Sequence, residues 1–168
     1  MGTLEIGTVS HGTMRMEDLI SAFHGALENV NPDHPLLAEL QQVYKDNPAD
    51  DQDASDEWYE PEDAEYMLEE LFDALDEHCP PYCYFGAHEG DGSDYGCWVS
   101  WEDVEEYFPA EPGGIKSSWG SAYRIARVNS GDPWPCVHEI LEVNDHGNMT
   151  LWTWDAEEHR HVEAWSIV

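Results

Sequence analysis

Between Lys45 and Lys116 the chain carries no lysine or arginine, yet the stretch from Asp46 to Glu111 holds 23 of its 37 acidic residues. Like charges repel, so any fold of this chain must turn those carboxylates outward and hold them there by burying apolar surface. The apolar surface is available. Hydrophobic residues make up 41% of the chain, with eight Trp and eight Tyr, which separates it from acidic disordered tails. At 168 residues it has the length of one domain with its own core, and a single domain over residues 1–168 is expected.

The formal net charge of −31 argues against direct binding to DNA, RNA or anionic lipid, because affinity for phosphate comes mainly from cations. The natural partner of such a surface is basic. No run approaches the roughly 18 apolar residues of a membrane span. The opening MGTLEIGTVSHGTMRMEDL lacks a basic segment followed by an apolar one, so no secretory leader is read there. Cys79, Cys83, Cys97 and Cys136 are then expected as reduced thiols in a cytosol rather than as a disulfide framework.

Residues 1–78 read as mainly helical. Leu19, Ile20, Phe23, Leu27 and Val30 recur at helical spacing, with Thr13 as the expected cap and Asn31-Pro32 as the stop. Leu36, Leu37, Leu40, Val43 and Tyr44 mark a second helix, closed by Asn47-Pro48. A polar, acidic loop over 46–60 follows. Pro61 suits the first turn of a third helix whose apolar stripe is Ala64, Met67, Leu68, Leu71, Phe72 and Leu75.

Residues 82–168 read as mainly antiparallel β. Tyr82–Ala87 and Tyr95–Val99 form an expected hairpin around the turn-rich His88–Asp94. Trp101–Phe108 reads as a short helix. Further strands are expected at Ala122–Val128, Cys136–Val143, Met149–Trp154 and His161–Ile167, with short turns at 144–148 and 155–160. The expected class is α+β, an N-terminal helical layer packed on a C-terminal antiparallel sheet.

On the third helix Glu62, Glu65, Glu69, Asp73 and Asp76 step by three and four and share one face, flanked by Asp63, Glu70 and Glu77. Sixteen helical residues span roughly 24 Å. Duplex DNA presents about 14 charges over that length. The helix carries eight, and Asp50, Asp51, Asp53, Asp56, Glu57 and Glu60 supply six more, so a charge density of the DNA order is within reach. Trp58, Tyr59 and Tyr66 lie inside the block, and binding hot spots favour such residues. The plainer reading is a solvated or salt-adapted surface. Against it, the acid excess is concentrated in one block, where salt adaptation spreads it over the whole surface.

The stretches PPYCYFGAHEGDGSDYGCW and GTVSHGTMRMEDLISAF resemble segments of small acidic proteins encoded by bacteriophages. In charge and size the chain is similar to DNA-mimic anti-restriction and anti-CRISPR proteins. The resemblance implies the host cytoplasm as location, but it supplies no activity and carries over no functional residue.

Other chemistries read more weakly. Cys79, Cys83, His88 and Cys97 contain the right atoms for zinc but lack C-x₂-C spacing. His159 and His161, with His138, are few for a metal site. Glu89–Asp94 offers oxygens without matching the calcium-loop pattern. The G-x-S-x-G, P-loop, H-E-x-x-H and G-x-G-x-x-G motifs are absent, and Cys136 and His138 are too close along a strand to pair as nucleophile and base.

The expectation is a non-enzymatic inhibitor, with no cofactor, metal or catalytic residue. Its acidic face would occupy the nucleic-acid site of a basic host defence protein such as a CRISPR effector or restriction enzyme. The partner-binding residues would be Asp50, Asp51, Asp53, Asp56, Glu57, Trp58, Tyr59, Glu62, Glu65, Glu69, Asp73 and Asp76. The alternatives are an acidic structural or assembly protein charged for solubility, and a metal-binding protein.

Overall fold

The computed structural model describes residues 2–46, 61–108, 115–116, 122–125 and 139–168. Among them the chain is α+β, with four helices and two antiparallel sheets, the helices mostly N-terminal and the strands mostly C-terminal. Two compact units are distinguished, Met1–Cys79 with Cys83–Trp98, and Pro80–Tyr82 with Val99–Val168.

The first unit contains β1 (Gly7–His11), α1 (Met16–Val30), α2 (Pro35–Asp46), α3 (Pro61–Asp76), β2 (Cys83–His88) and most of β3 (Asp91–Val99). Its sheet order is β1-β3-β2, so the N-terminal strand pairs with the distant β3. Sequence periodicity did not reveal β1, because five residues flanked by glycine carry no clear alternation. Its register runs Gly7↔Cys97, Thr8↔Gly96, Ser10↔Tyr95 and His11↔Asp94, with a bulge between Thr8 and Ser10. The strands approach closely at Gly96, where an added Cβ would lie 2.0 Å from the Gly7 carbonyl oxygen.

The apolar stripes meet as their spacing requires. Leu19, Ile20, Phe23 and Leu27 of α1, Leu36, Leu37 and Leu40 of α2, and Ala64, Leu71, Ala74 and Leu75 of α3 are buried with Phe85 and Cys97. Phe23 sits at the centre, its ring edge-on to Phe72, Phe85 and Tyr95 at centroid distances of 5.1, 4.9 and 6.0 Å. Burying a leucine or phenylalanine is worth about 1.5–3 kcal/mol. A like-charge i,i+4 pair costs only a few tenths. Leu71 and Leu75 therefore outweigh the repulsion along the opposite face of α3.

Thr13 is not the cap of α1. The N-cap position falls on Arg15, whose side chain makes no capping bond. Thr13 Oγ1 instead accepts from the Arg15 N–H at 3.2 Å and donates to Asp18 Oδ2 at 2.7 Å. At the other end, Asn31 N–H bonds the Leu27 carbonyl at 2.8 Å, and Pro32 cannot extend the helix. The expected stop of α1 and the Pro61 start of α3 otherwise match the observed bounds.

The hairpin strands are offset from expectation. Tyr82 has φ +60, outside extended geometry, so β2 begins at Cys83. β3 begins at Asp91 because the connection shrinks to Glu89-Gly90.

The second unit contains α4 (Trp101–Tyr107) and a meander of β4 (Ile115–Lys116), β5 (Ala122–Ile125), β6 (Glu139–Val143), β7 (Met149–Asp155) and β8 (Arg160–Ile167), paired in chain order. The pairs Leu141↔Leu151 and Leu151↔Trp165 place three buried side chains in one row across the sheet. Val104 and Phe108 are also deeply buried in this unit. Ser100 caps α4, its Oγ accepting from the Asp103 N–H at 3.4 Å. Trp165 Nε1 donates to the Pro81 carbonyl at 2.8 Å, and the Tyr82 hydroxyl donates to Glu139. Tight turns follow from side-chain acceptors. Asn144 Oδ1 takes the N–H groups of His146 and Asn148, and Asp155 Oδ1 those of Glu157 and Glu158.

Candidate acidic interface

Helix α3 places the acidic residues because its period is 3.6. With Leu71 and Leu75 fully buried, the positions two residues away must face water. Glu65, Glu69, Asp73 and Asp76 are exposed, as are Glu70 and Glu77 beside them. Successive members of the Glu65–Glu69–Asp73 row stand about one helical turn, roughly 5–6 Å, apart. Glu62 lies in the first turn of the same helix. Asp50, Asp51, Asp53, Asp56, Glu57, Trp58 and Tyr59 fall outside the described residues.

Among the described residues the ion pairs are His11–Asp91, Arg15–Glu17, His146–Asp145 and Arg160–Glu158, and none involves α3. The last turn of α3 contains no basic residue, so its acids face the negative end of the helix dipole. Local helix physics disfavours that placement.

Two residues of this region were not on the expected list. Tyr66 is 59% exposed, and the charge of Glu70 one turn on, which also takes its hydrogen bond, pushes its phenol above the ordinary tyrosine range. Glu39 of α2 adds to that push, so a second helix contributes charge to the same area. Glu39 is exposed on α2, and its effect on Tyr66 depends on how α2 meets α3. Asp76, by contrast, is not simply a free surface acid, because its Oδ1 accepts the backbone N–H of Phe85 at 2.8 Å.

The other sequence candidates resolve into local structure. His88 belongs to the hairpin turn, with Nδ1 accepting from the Gly90 N–H at 3.0 Å and its ring edge-on to Trp98 at 4.6 Å. It stands at the opposite end of β2 from Cys83. Asp91 Oδ1 accepts from both Ser93 N–H and Ser93 Oγ, at 2.9 and 2.8 Å, and these donors hold its carboxyl below the usual range. The glycine-rich turn thus closes on its own donors. His161 packs edge-on to Trp154 at 5.2 Å, and His159 occupies a turn at φ +52. Cys136 and His138 lie outside the described residues. Among the described residues, no group of three or more His, Cys, Asp or Glu side chains is arranged to hold a metal ion, and no helix is long and apolar enough to cross a membrane.

A cleft of about 590 Å³ lies at the C-terminal ends of α1 and α3, lined in part by Asn31, His34, Glu77 and His78. His78 is 7% exposed and already bonded. Its Nδ1 meets the Gly2 carbonyl at 3.0 Å and its Nε2 meets Asn31 Nδ2 at 3.3 Å. Since the amide is a donor and the carbonyl an acceptor, the ring carries its proton on Nδ1. The imidazole ties down the N-terminal segment.

No protein-family model matches the chain, no curated protein matches it, and no solved structure matches it.

Proposed function

We propose that the protein is a non-enzymatic inhibitor of the phage type, whose acidic α3 face imitates a nucleic-acid backbone and occupies the corresponding site of a basic host defence protein. A CRISPR effector or a restriction enzyme is the target class. The observation that carries this reading is the exposed row Glu65, Glu69 and Asp73, backed by a buried stripe and facing no cation among the described residues. A packed stripe makes the row rigid, so a partner need not pay to order it. Opposite charge would steer association and raise its rate. Tyr66, exposed within the acidic field, supplies an aromatic anchor.

The test is a fourfold reversal of Glu62, Glu65, Glu69 and Asp73 to Lys, which leaves Asp76 and its bond to Phe85 intact. The variant keeps its fold and loses the partner captured by the wild-type chain, with single reversals costing much less. Wild-type capture also weakens steeply as salt is raised, since screening shortens the reach of exposed charges to about 8 Å at physiological ionic strength. A folded fourfold variant that holds its partner at full strength removes the mimicry reading.

A further inference from the structure

The sheet of the second unit has two unlike faces. One carries the buried row Leu141, Leu151 and Trp165. The opposite face carries the cross-strand row Ile140, Trp152 and Glu163, and no member of that row is buried. Trp154, two positions further along β7 on the same face, is 41% exposed. Water-facing positions of an antiparallel sheet are ordinarily polar. Two indoles at successive outward positions of one strand break that rule.

Their contacts orient these indoles without covering them. Trp152 Nε1 donates to Glu142 Oε2 of β6 at 3.2 Å. Trp154 meets the His161 ring of β8 edge-on, with centroids 5.2 Å apart. Glu163 is the direct cross-strand partner of Trp152, which sets their Cβ atoms roughly 4.5–5.5 Å apart. It is also the diagonal neighbour of Trp154, at roughly 7–8 Å. Glu163 is exposed and enters no ion pair among the described residues. The one Lys or Arg of β6, β7 and β8 is Arg160, which pairs in register with Asp155 on the other face and is bonded to Glu158.

This surface fits a cation. The face of an indole is negative and attracts a guanidinium held within about 6 Å of the ring centroid. A carboxylate beside the ring supplies the counter-charge. Arginine suits the pair better than lysine, because its planar group stacks on a ring and also matches a carboxylate in a two-pronged bond. The net charge of −31 draws a basic partner in and offers nothing to a neutral sugar, the other ligand that stacks on indoles. Trp152 and Trp154 stand roughly 7 Å apart along β7, at about 3.4 Å per residue. Alternate side chains of an extended peptide repeat at that same distance.

We infer that the Trp152–Trp154 face is a docking surface for an extended basic peptide segment, whose arginines two residues apart stack on the two indoles while one of them pairs with Glu163. The site lies within the second unit, and it stands whether or not the α3 row imitates a nucleic acid.

The probe is a blocked Gly-Arg-Gly-Arg-Gly peptide, titrated into the full-length chain at physiological salt while the indole N–H signals are followed by NMR. The expected result is a saturable shift of the Trp152 and Trp154 signals. Trp154→Ala and Glu163→Gln each weaken the peptide roughly two- to fivefold, the loss that a cation–π contact at an exposed site carries. The fourfold reversal on α3 keeps both indole shifts, which separates this site from that row. Should Trp154→Ala fail to fold, Glu163→Gln and the wild-type shifts decide. The proposal is overturned if both indole signals stay in place while the chain takes up peptide, since that uptake follows net charge alone. It is equally overturned if Glu163→Gln binds the peptide at full strength, or if a neutral cello-oligosaccharide saturates the same signals more tightly than the peptide.

Discussion

The carboxylate of Asp76, the last residue of α3, accepts the backbone N–H of Phe85 in β2 at 2.8 Å. That bond crosses the reversal between helix and hairpin and fixes where β2 starts against the helix end. It also gives one acid of the row a task that its neighbours lack.

The contrast between Asp76 and Asp73 is therefore measurable. Asp76→Ala leaves the Phe85 N–H without its acceptor and costs about 1–2 kcal/mol of stability. Asp73→Ala, on the exposed row, stays within about 0.5 kcal/mol of wild type. Urea unfolding of both variants checks this. Equal losses would mean that the Asp76 bond contributes nothing beyond charge.

Two glycines separate backbone crowding from backbone entropy. A Cβ at position 96 would sit 2.0 Å from the Gly7 carbonyl oxygen, so β1 cannot keep its pairing with β3. Gly96→Ala is expected to cost about 1–3 kcal/mol or more, with amide exchange in β1 accelerated. Gly25, inside α1, has open space around its added Cβ. Gly25→Ala is expected to stabilise the chain by about 0.5–1 kcal/mol. Thermal melts of the two variants should shift in opposite directions, and a shift in the same direction would refute the pairing geometry.

Tyr82 gives the second unit an alkaline limit. Burial, followed by the hydrogen bond to Glu139, pushes its phenol above the usual 10.0. Near pH 10 the unfolded chain releases this proton while the folded chain keeps it, so rising pH favours the unfolded state. The stabilisation is complete below the unfolded value and is lost as pH climbs toward the folded one. Tyr82→Phe removes both the bond and the titration. At neutral pH it costs about 1 kcal/mol, and the gap to wild type narrows above about pH 10. Urea midpoints at neutral and alkaline pH measure that gap, and a constant gap would contradict the assignment.

Local periodicity made most of the elements legible. The stripe Ala64, Met67, Leu68, Leu71, Phe72 and Leu75 determines a helix with an acidic far side, because side chains 3.6 to a turn leave no other way to bury it. Alternation and turn residues did the same for the strands of the second half. The cation-free block, and with it the outward row Glu65, Glu69 and Asp73, was readable for the same reason. What the sequence could not determine are meetings between residues distant along the chain. β1 pairs with β3 across more than 80 positions, and a five-residue strand has too short a pattern to announce its partner. His78 closing on Gly2 and Asn31 and Asp76 holding Phe85 both require the chain to reverse first. Spacing grouped His88 with the cysteines, but side-chain position along β2 sends it to the other end of the strand. Periodicity sets which way a side chain points, and only the tertiary fold decides what it then touches.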